Sequence, residues 1–356
     1  MNEKSKPRLA MYWAAGCGGC EISVLNIHEH ILEVDEIFDI AFFPCIADFK
    51  LKDLERYPDG HIDVCLFNGA IRNSENEEMA RLLRQKSKVL MAFGSCAYEG
   101  CIPALSNLTS KQATLHTVYL DNPTIDNPDG VLPQPRQQQP EGELKIPRFY
   151  HTVKSLDQVV AVDYTVPGCP PEPQQIWTVL SAVAAALTQG AELPPPGSII
   201  GAGDVAVCEE CPLTKDVKTI DRFYRPYQKI PDPNVCLLEQ GLVCMGIATR
   251  SGCGALCPRV GMGCRGCYGP VEGVQDQGAR MLTAISSVLN VGQPGEEEDE
   301  IARKVEAVLD TLPDPAGTFY RFSMAHSMLR RAKTAKNGGT GVHRAEANEV
   351  EKRGAE

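Results

Sequence analysis

No run of about eighteen uncharged apolar residues, the least that reads as a membrane-crossing helix, occurs anywhere in the chain. The first 20 residues carry neither the apolar core of a secretory signal nor a twin arginine. The chain is therefore expected to stay in the cytoplasm. Positive charge is also short, with 35 Lys and Arg against 46 Asp and Glu and a net charge of −11. That balance argues against nucleic acid or an anionic membrane surface as the main partner. Cysteine, by contrast, is abundant, at 15 in 356 residues. In a reducing compartment such a number points to metal ligation and away from a disulfide framework.

Eight of the 15 fall between Cys208 and Cys267, as Cys208-x2-Cys211, Cys236, Cys244, Cys253-x3-Cys257 and Cys264-x2-Cys267. Eight divides into two sets of four, the number of thiolates taken by one cubane iron–sulfur cluster or by one structural zinc. The segment that carries them is crowded with Gly and Pro, among them Pro212, Pro231, Gly252, Gly261 and Pro270. It lacks the apolar area to offset its own ordering entropy. The expectation is that whatever the cysteines bind holds this stretch in shape.

The length allows two domains and a sizeable core. Residues 8–13 read as a short buried strand, followed by a glycine-rich turn over 15–20 and a helix from Glu21 to about Glu33. Strand, glycine turn and helix in that order begin a doubly wound α/β unit. Further strands are expected at 38–43, 62–67, 89–93 and 159–166, with a helix from about Glu172 to Leu187. The fold class implied is α/β, a flavodoxin-like doubly wound parallel sheet followed by a loop-rich metal domain and C-terminal helices. Domain limits are read at 7–190 for the sheet domain, 198–275 for the cysteine-rich domain and 276–336 for a helical segment that includes a basic helix over 323–336. A tail over 337–356, almost without large apolar residues, is expected to be disordered. Residues 121–148 contain six prolines and no strand or helix period, and read as a surface excursion.

Four more cysteines gain meaning from this map. Cys17 and Cys20 follow the first strand, Cys96 the fourth, and Cys169 the fifth. All sit just past carboxyl ends of strands, where open α/β sheets place their ligands. The helix after Cys20 would point its positive end at that edge, which suits an anionic cluster. Of the rest, Cys65 reads as core, and Cys45 and Cys101 as neighbours of the site that are not ligands.

These motifs together resemble one family. Cys17-x2-Cys20, Gly94-Ser95-Cys96-Ala97 with Ile102-Pro103-Ala104, Pro167-Gly168-Cys169-Pro170-Pro171, and the run from Cys253 to Pro270 resemble the small, electron-transferring subunit of NiFe hydrogenases. Within it the chain resembles the cytoplasmic methyl-viologen-reducing type, from about Pro7 to Arg331. The resemblance implies a proximal 4Fe–4S cluster on Cys17, Cys20, Cys96 and Cys169, and a medial one on Cys253, Cys257, Cys264 and Cys267. A distal one falls to Cys208, Cys211, Cys236 and Cys244. The membrane-bound branch has histidine where this chain has Cys208, and proline where it has Cys257; both departures imply three all-cysteine 4Fe–4S clusters. The resemblance further implies a NiFe large subunit as partner, holding the catalytic centre, and a flavin or iron–sulfur acceptor subunit. No catalytic residue is expected in this chain.

Two other readings compete. The α/β part also resembles the cluster-bearing subunit at the quinone-end junction of respiratory complex I, but the adjacent Cys-Cys ligands of that subunit are absent. The C-terminal cysteines could instead hold zinc in a binding module, which leaves the four strand-end cysteines without a role.

Overall fold

The computed structural model describes residues 6–216, 219–292, 294–312 and 314–329. The expected tail over 337–356, and residues 330–336 of the basic segment, lie outside them. Chain order begins β1 (Arg8–Trp13), α1 (Gly19–Leu25), α2 (His30–Ile37), β2 (Asp39–Phe42), α3 (Leu51–Arg56), β3 (Ile62–Asn68), β4 (Ile71–Asn73), α4 (Ser74–Lys86), β5 (Ser87–Phe93) and α5 (Ser95–Glu99). It continues through α6 (Lys111–His116), β6 (Arg136–Gln139), β7 (Gly142–Lys145), β8 (Phe149–Lys154), β9 (Tyr164–Val166), α7 (Pro173–Gln189) and β10 (Ser198–Ile199). The last helices are α8 (Leu256–Arg259), α9 (Gln277–Ser286), α10 (Glu298–Leu309) and α11 (Pro315–Phe319).

Six strands form one sheet in the order β10-β9-β5-β3-β1-β2, and every neighbouring pair runs parallel. This is the α/β, doubly wound arrangement expected. Its cause is visible in the strands, which are apolar on both faces, as a parallel sheet covered by helices requires. Leu9, Met11, Val64, Leu66, Met91 and Phe93 pack on one face under Ile176, Val179 and Leu180 of α7. The alternate residues Ala10, Cys65, Phe67, Leu90 and Ala92 pack on the other face with Met79, Ala80 and Leu83 of α4. Helix α7 is capped at both ends: the Glu172 carboxylate accepts from the Gln174 and Gln175 N–H groups, and Gly190 ends the helix in a left-handed conformation.

Several sequence expectations are corrected. The single helix over 21–33 is two, α1 and α2, because the chain turns at His28, whose φ is +56°. The strand expected over 159–166 begins only at Tyr164, since the Val159 and Val160 N–H groups turn back to the Leu156 carbonyl. The sheet gains a sixth strand, β10, which pairs Ser198 and Ile199 with Tyr164 and Thr165. The 121–148 excursion contains the antiparallel hairpin β6–β7; its strands are almost wholly exposed, so no apolar alternation marks them. Residues 323–328 are turns and not the start of a helix. Their backbone is taken by tertiary partners: Gln158 donates to the Ala325 carbonyl and the Met328 N–H donates to Asp276. Met324 is buried and Met328 is 77% exposed. Among the described residues no helix is long and apolar enough to cross a membrane.

Candidate iron–sulfur centres

The strand-end cysteines meet. Cys17 on the β1–α1 turn, Cys20 in the first turn of α1, Cys96 at the start of α5 and Cys169 after β9 line one small cleft with Asn68, Ser95 and Pro170. Glycine makes the approach possible. Gly94 has φ +81°, and a Cβ there would lie 2.5 Å from the Cys20 sulfur. Such a position admits only glycine without displacement of the sulfur. Burial pushes the Cys20 thiol up, and Cys96, Glu21, Cys169 and Cys17 add to the effect. The donor set is thus four thiols in one another's field, soft ligands that suit iron–sulfur clusters. Binding as thiolates would release their protons.

Cys208, Cys211, Cys236 and Cys244 form a second group. Burial pushes the Cys208 thiol up to about 12 against the opposing charge of Lys215, with Cys244, Cys236 and Cys211 reinforcing it. Gly246 again leaves the room: a Cβ there would sit 3.3 Å from the Cys208 sulfur and 3.7 Å from that of Cys244. The Cys236 N–H donates to the Thr214 carbonyl, which draws its loop toward Cys211.

Cys253, Cys257, Cys264 and Cys267 form the third. Burial pushes the Cys267 thiol up to about 12, reinforced by Cys169, Cys253 and Cys257. The Glu210 carboxylate accepts from the Gly252 N–H at 3.1 Å and the Ala255 N–H at 3.3 Å, and so shapes the turn that presents Cys253. Cys257 is exposed.

The groups are in series. Cys267 of the third faces Cys169 of the first, and Ser95, beside Cys96, donates from its hydroxyl to the Cys267 carbonyl. At the other side, the Cys264 N–H donates to the Cys244 sulfur of the second group at 3.3 Å. Among the described residues, no three His, Cys, Asp or Glu side chains converge tightly enough to hold a single metal ion.

Of the cysteines set aside, Cys65 is fully buried in the sheet core and Cys45 is exposed. Cys101 is buried, with its sulfur 3.7 Å from that of Cys169. Sequence reasoning missed Glu210 and held Ser95 only as part of a motif, because the contacts of both span long separations in the chain.

A family described as "NADH ubiquinone oxidoreductase, 20 Kd subunit" matches residues 17–183. An iron–sulfur subunit of the F420-non-reducing hydrogenase of Archaeoglobus profundus is 38% identical over 333 residues, covering 91% of this chain and 98% of that one. The corresponding F420-non-reducing hydrogenase subunit of Methanothermobacter marburgensis is 36% identical over 327 residues, 91% of this chain and 96% of its own. A vhu-type F420-non-reducing hydrogenase subunit of Methanocaldococcus jannaschii is 38% identical, covering 91% of this chain and 97% of that one. The chain belongs to the small-subunit family of NiFe hydrogenases, methyl-viologen-reducing type. These relatives are hydrogenase subunits, one of them named an iron–sulfur subunit, and this chain is a subunit of the same kind of enzyme. The complex I resemblance is confined to the α/β part, whereas these relatives continue through the cysteine-rich segment.

Proposed function

We propose that this subunit carries three all-cysteine 4Fe–4S clusters and conducts electrons between the Ni–Fe centre of its large subunit and a flavin or iron–sulfur acceptor subunit, in the cytoplasm. The proximal cluster belongs on Cys17, Cys20, Cys96 and Cys169, the medial on Cys253, Cys257, Cys264 and Cys267, and the distal on Cys208, Cys211, Cys236 and Cys244. The sheet domain (7–190) holds the first and the cysteine-rich domain (198–275) the other two, against which α9, α10 and α11 pack through Met281, Ile285, Val308 and Phe319. The observation that carries this reading is the series itself: Cys169 beside Cys267, and Cys264 beside Cys244. When bound, the clusters supply one-electron carriers. The chain fixes their spacing and tunes them through burial and hydrogen bonds to sulfur. The large subunit would cover the strand-end edge, where Trp13, Ile22 and Leu25 expose apolar surface near Cys17.

The test is metal analysis with EPR on anaerobically purified protein. Three sets of four cysteines imply about twelve irons per chain and no zinc. About eight irons with one zinc would move one C-terminal group to a structural role.

A further inference from the structure

Four of the five cysteines at the carboxyl edge of the sheet that lie in or against the cleft are accounted for by the proximal reading; Cys101 is not. It is 1% exposed, so it is not a surface thiol. Its backbone has φ +48° and ψ −148°, a region that is strained for any residue with a Cβ and essentially reserved for glycine. The neighbouring Gly94, Gly100 and Gly168 all adopt positive φ without such strain. The Cys101 N–H donates to the Phe322 carbonyl at 3.0 Å, which pins the strained turn from the C-terminal segment. The outcome of that arrangement is a thiol aimed at ligand sulfur: Cys101 Sγ lies 3.7 Å from Cys169 Sγ, with Cys96 as its second sulfur neighbour. A residue that only filled space would need neither the strained backbone nor a polar head.

We propose that Cys101 is a positioning residue for the proximal cluster, donating an S–H···S hydrogen bond to the ligand sulfur of Cys169 and thereby raising the reduction potential of the cluster bound there. The proposal rests on the proximal assignment made above. A donor on a ligand sulfur takes up part of the negative charge that accumulates on reduction, so the reduced form is favoured. Cys101 has no place among the four ligands, because the cubane has one iron for each of Cys17, Cys20, Cys96 and Cys169.

Cys101→Gly is the decisive variant, since glycine relieves the backbone strain while removing the donor. Cys101→Ser keeps a donor on a shorter arm. Both are purified in the complex with the large subunit, and the proximal cluster is followed by iron content and an EPR-monitored redox titration. The expected result is unchanged iron in both, a proximal potential shifted downward in Cys101→Gly, and a smaller downward shift in Cys101→Ser. An unshifted potential in Cys101→Gly overturns the proposal and leaves the thiol as filler. Loss of iron, or a changed cluster type, in Cys101→Gly also overturns it, by making Cys101 a ligand. A Cys17→Ser variant run alongside separates the two layers: if it leaves the proximal signal untouched, the cluster assignment fails first and the proposal with it.

Discussion

The sheet region and the cysteine-rich region reach order by different means. In the first, β3 and β5 are buried on both faces and α7 runs for 17 residues against them. Apolar burial at about 25 cal/mol per Å² is enough to hold such a layer. In the second, among the described residues from Cys208 to Cys267, the longest helix is α8, at four residues. Two small apolar clusters are built partly from the cysteines themselves: Cys264 packs with Val207 and Ala255, and Cys211 and Cys244 edge the group of Leu213, Leu237 and Leu242. Ile220, Phe223, Leu238, Met245 and Ala248 of the same region share a core with Met281, Ile285 and Phe319 of the helices that follow. On the cluster assignment proposed above, one region is a fold that receives a cluster, and the other is a fold that clusters would help to complete. Where ligands replace a core, metal binding becomes folding energy.

The largest effect that could break this contrast is removal of iron. Anaerobic chelation of the holo subunit should strip amide exchange protection from Cys208 to Cys267 while β1, β3 and β5 keep theirs. Hydrogen exchange read by mass spectrometry checks it. Equal loss in both regions would mean that the sheet also depends on its cluster. A smaller effect is local to the sheet edge. Gly94→Ala puts a Cβ against the Cys20 sulfur at a φ of +81°, and should cost the proximal cluster, about four irons, with the sheet intact. Gly190→Ala, whose Cβ meets open space at a similar φ, should lose stability on the order of 1 kcal/mol and no iron. Iron counts with circular dichroism separate the two; iron retained in Gly94→Ala would show that the cleft can shift to admit a methyl group.

Legibility in the sequence follows the same divide. The strands at 62–68 and 87–93 could be read because burial on both faces leaves continuous apolar runs. Topology alone then sent Cys17, Cys20, Cys96 and Cys169 toward one edge, and the cleft contains all four. The hairpin at 136–145 could not be read, because exposed strands carry no apolar period. Nor could β10, two residues long behind Pro194, Pro195 and Pro196. In the cysteine-rich region the family resemblance grouped the thiols, but the contacts that order the groups, Ser95 to Cys267 and Cys264 to Cys244, are tertiary. Cys101 lacked a partner at any motif spacing, and the role proposed for it rests on its strained backbone and the nearby sulfur, neither of which a sequence displays.

The last predicted effect, confined to a pH dependence, lies at the seam between the regions, where it sharpens the comparison. Glu99 ends α5 of the sheet region, and its carboxylate lies against Gly269 of the cysteine-rich region. It is 1% exposed, and its Oε2 has no hydrogen-bond partner. Burial raises its pKa from 4.5 to about 7; Asp157 and Asp276 add to the rise, and His326 and Arg250 oppose it. The sign follows from the raised value. Below 4.5 the group is protonated whether the chain is folded or not, and burial as the neutral acid costs nothing in linkage. As pH climbs from 4.5 toward 7 the unfolded chain ionises and the folded one does not, so stability falls, and it levels off above that window. At about 1.4 kcal/mol per pKa unit, the loss is about 3 kcal/mol. Glu99→Gln cannot ionise and should escape it. Its melting temperature relative to the unsubstituted chain should therefore rise between pH 5.5 and 8, measured anaerobically on holo protein. A difference that stays constant across that range would mean that Glu99 is already charged in the fold, with Arg250 and His326 outweighing its burial.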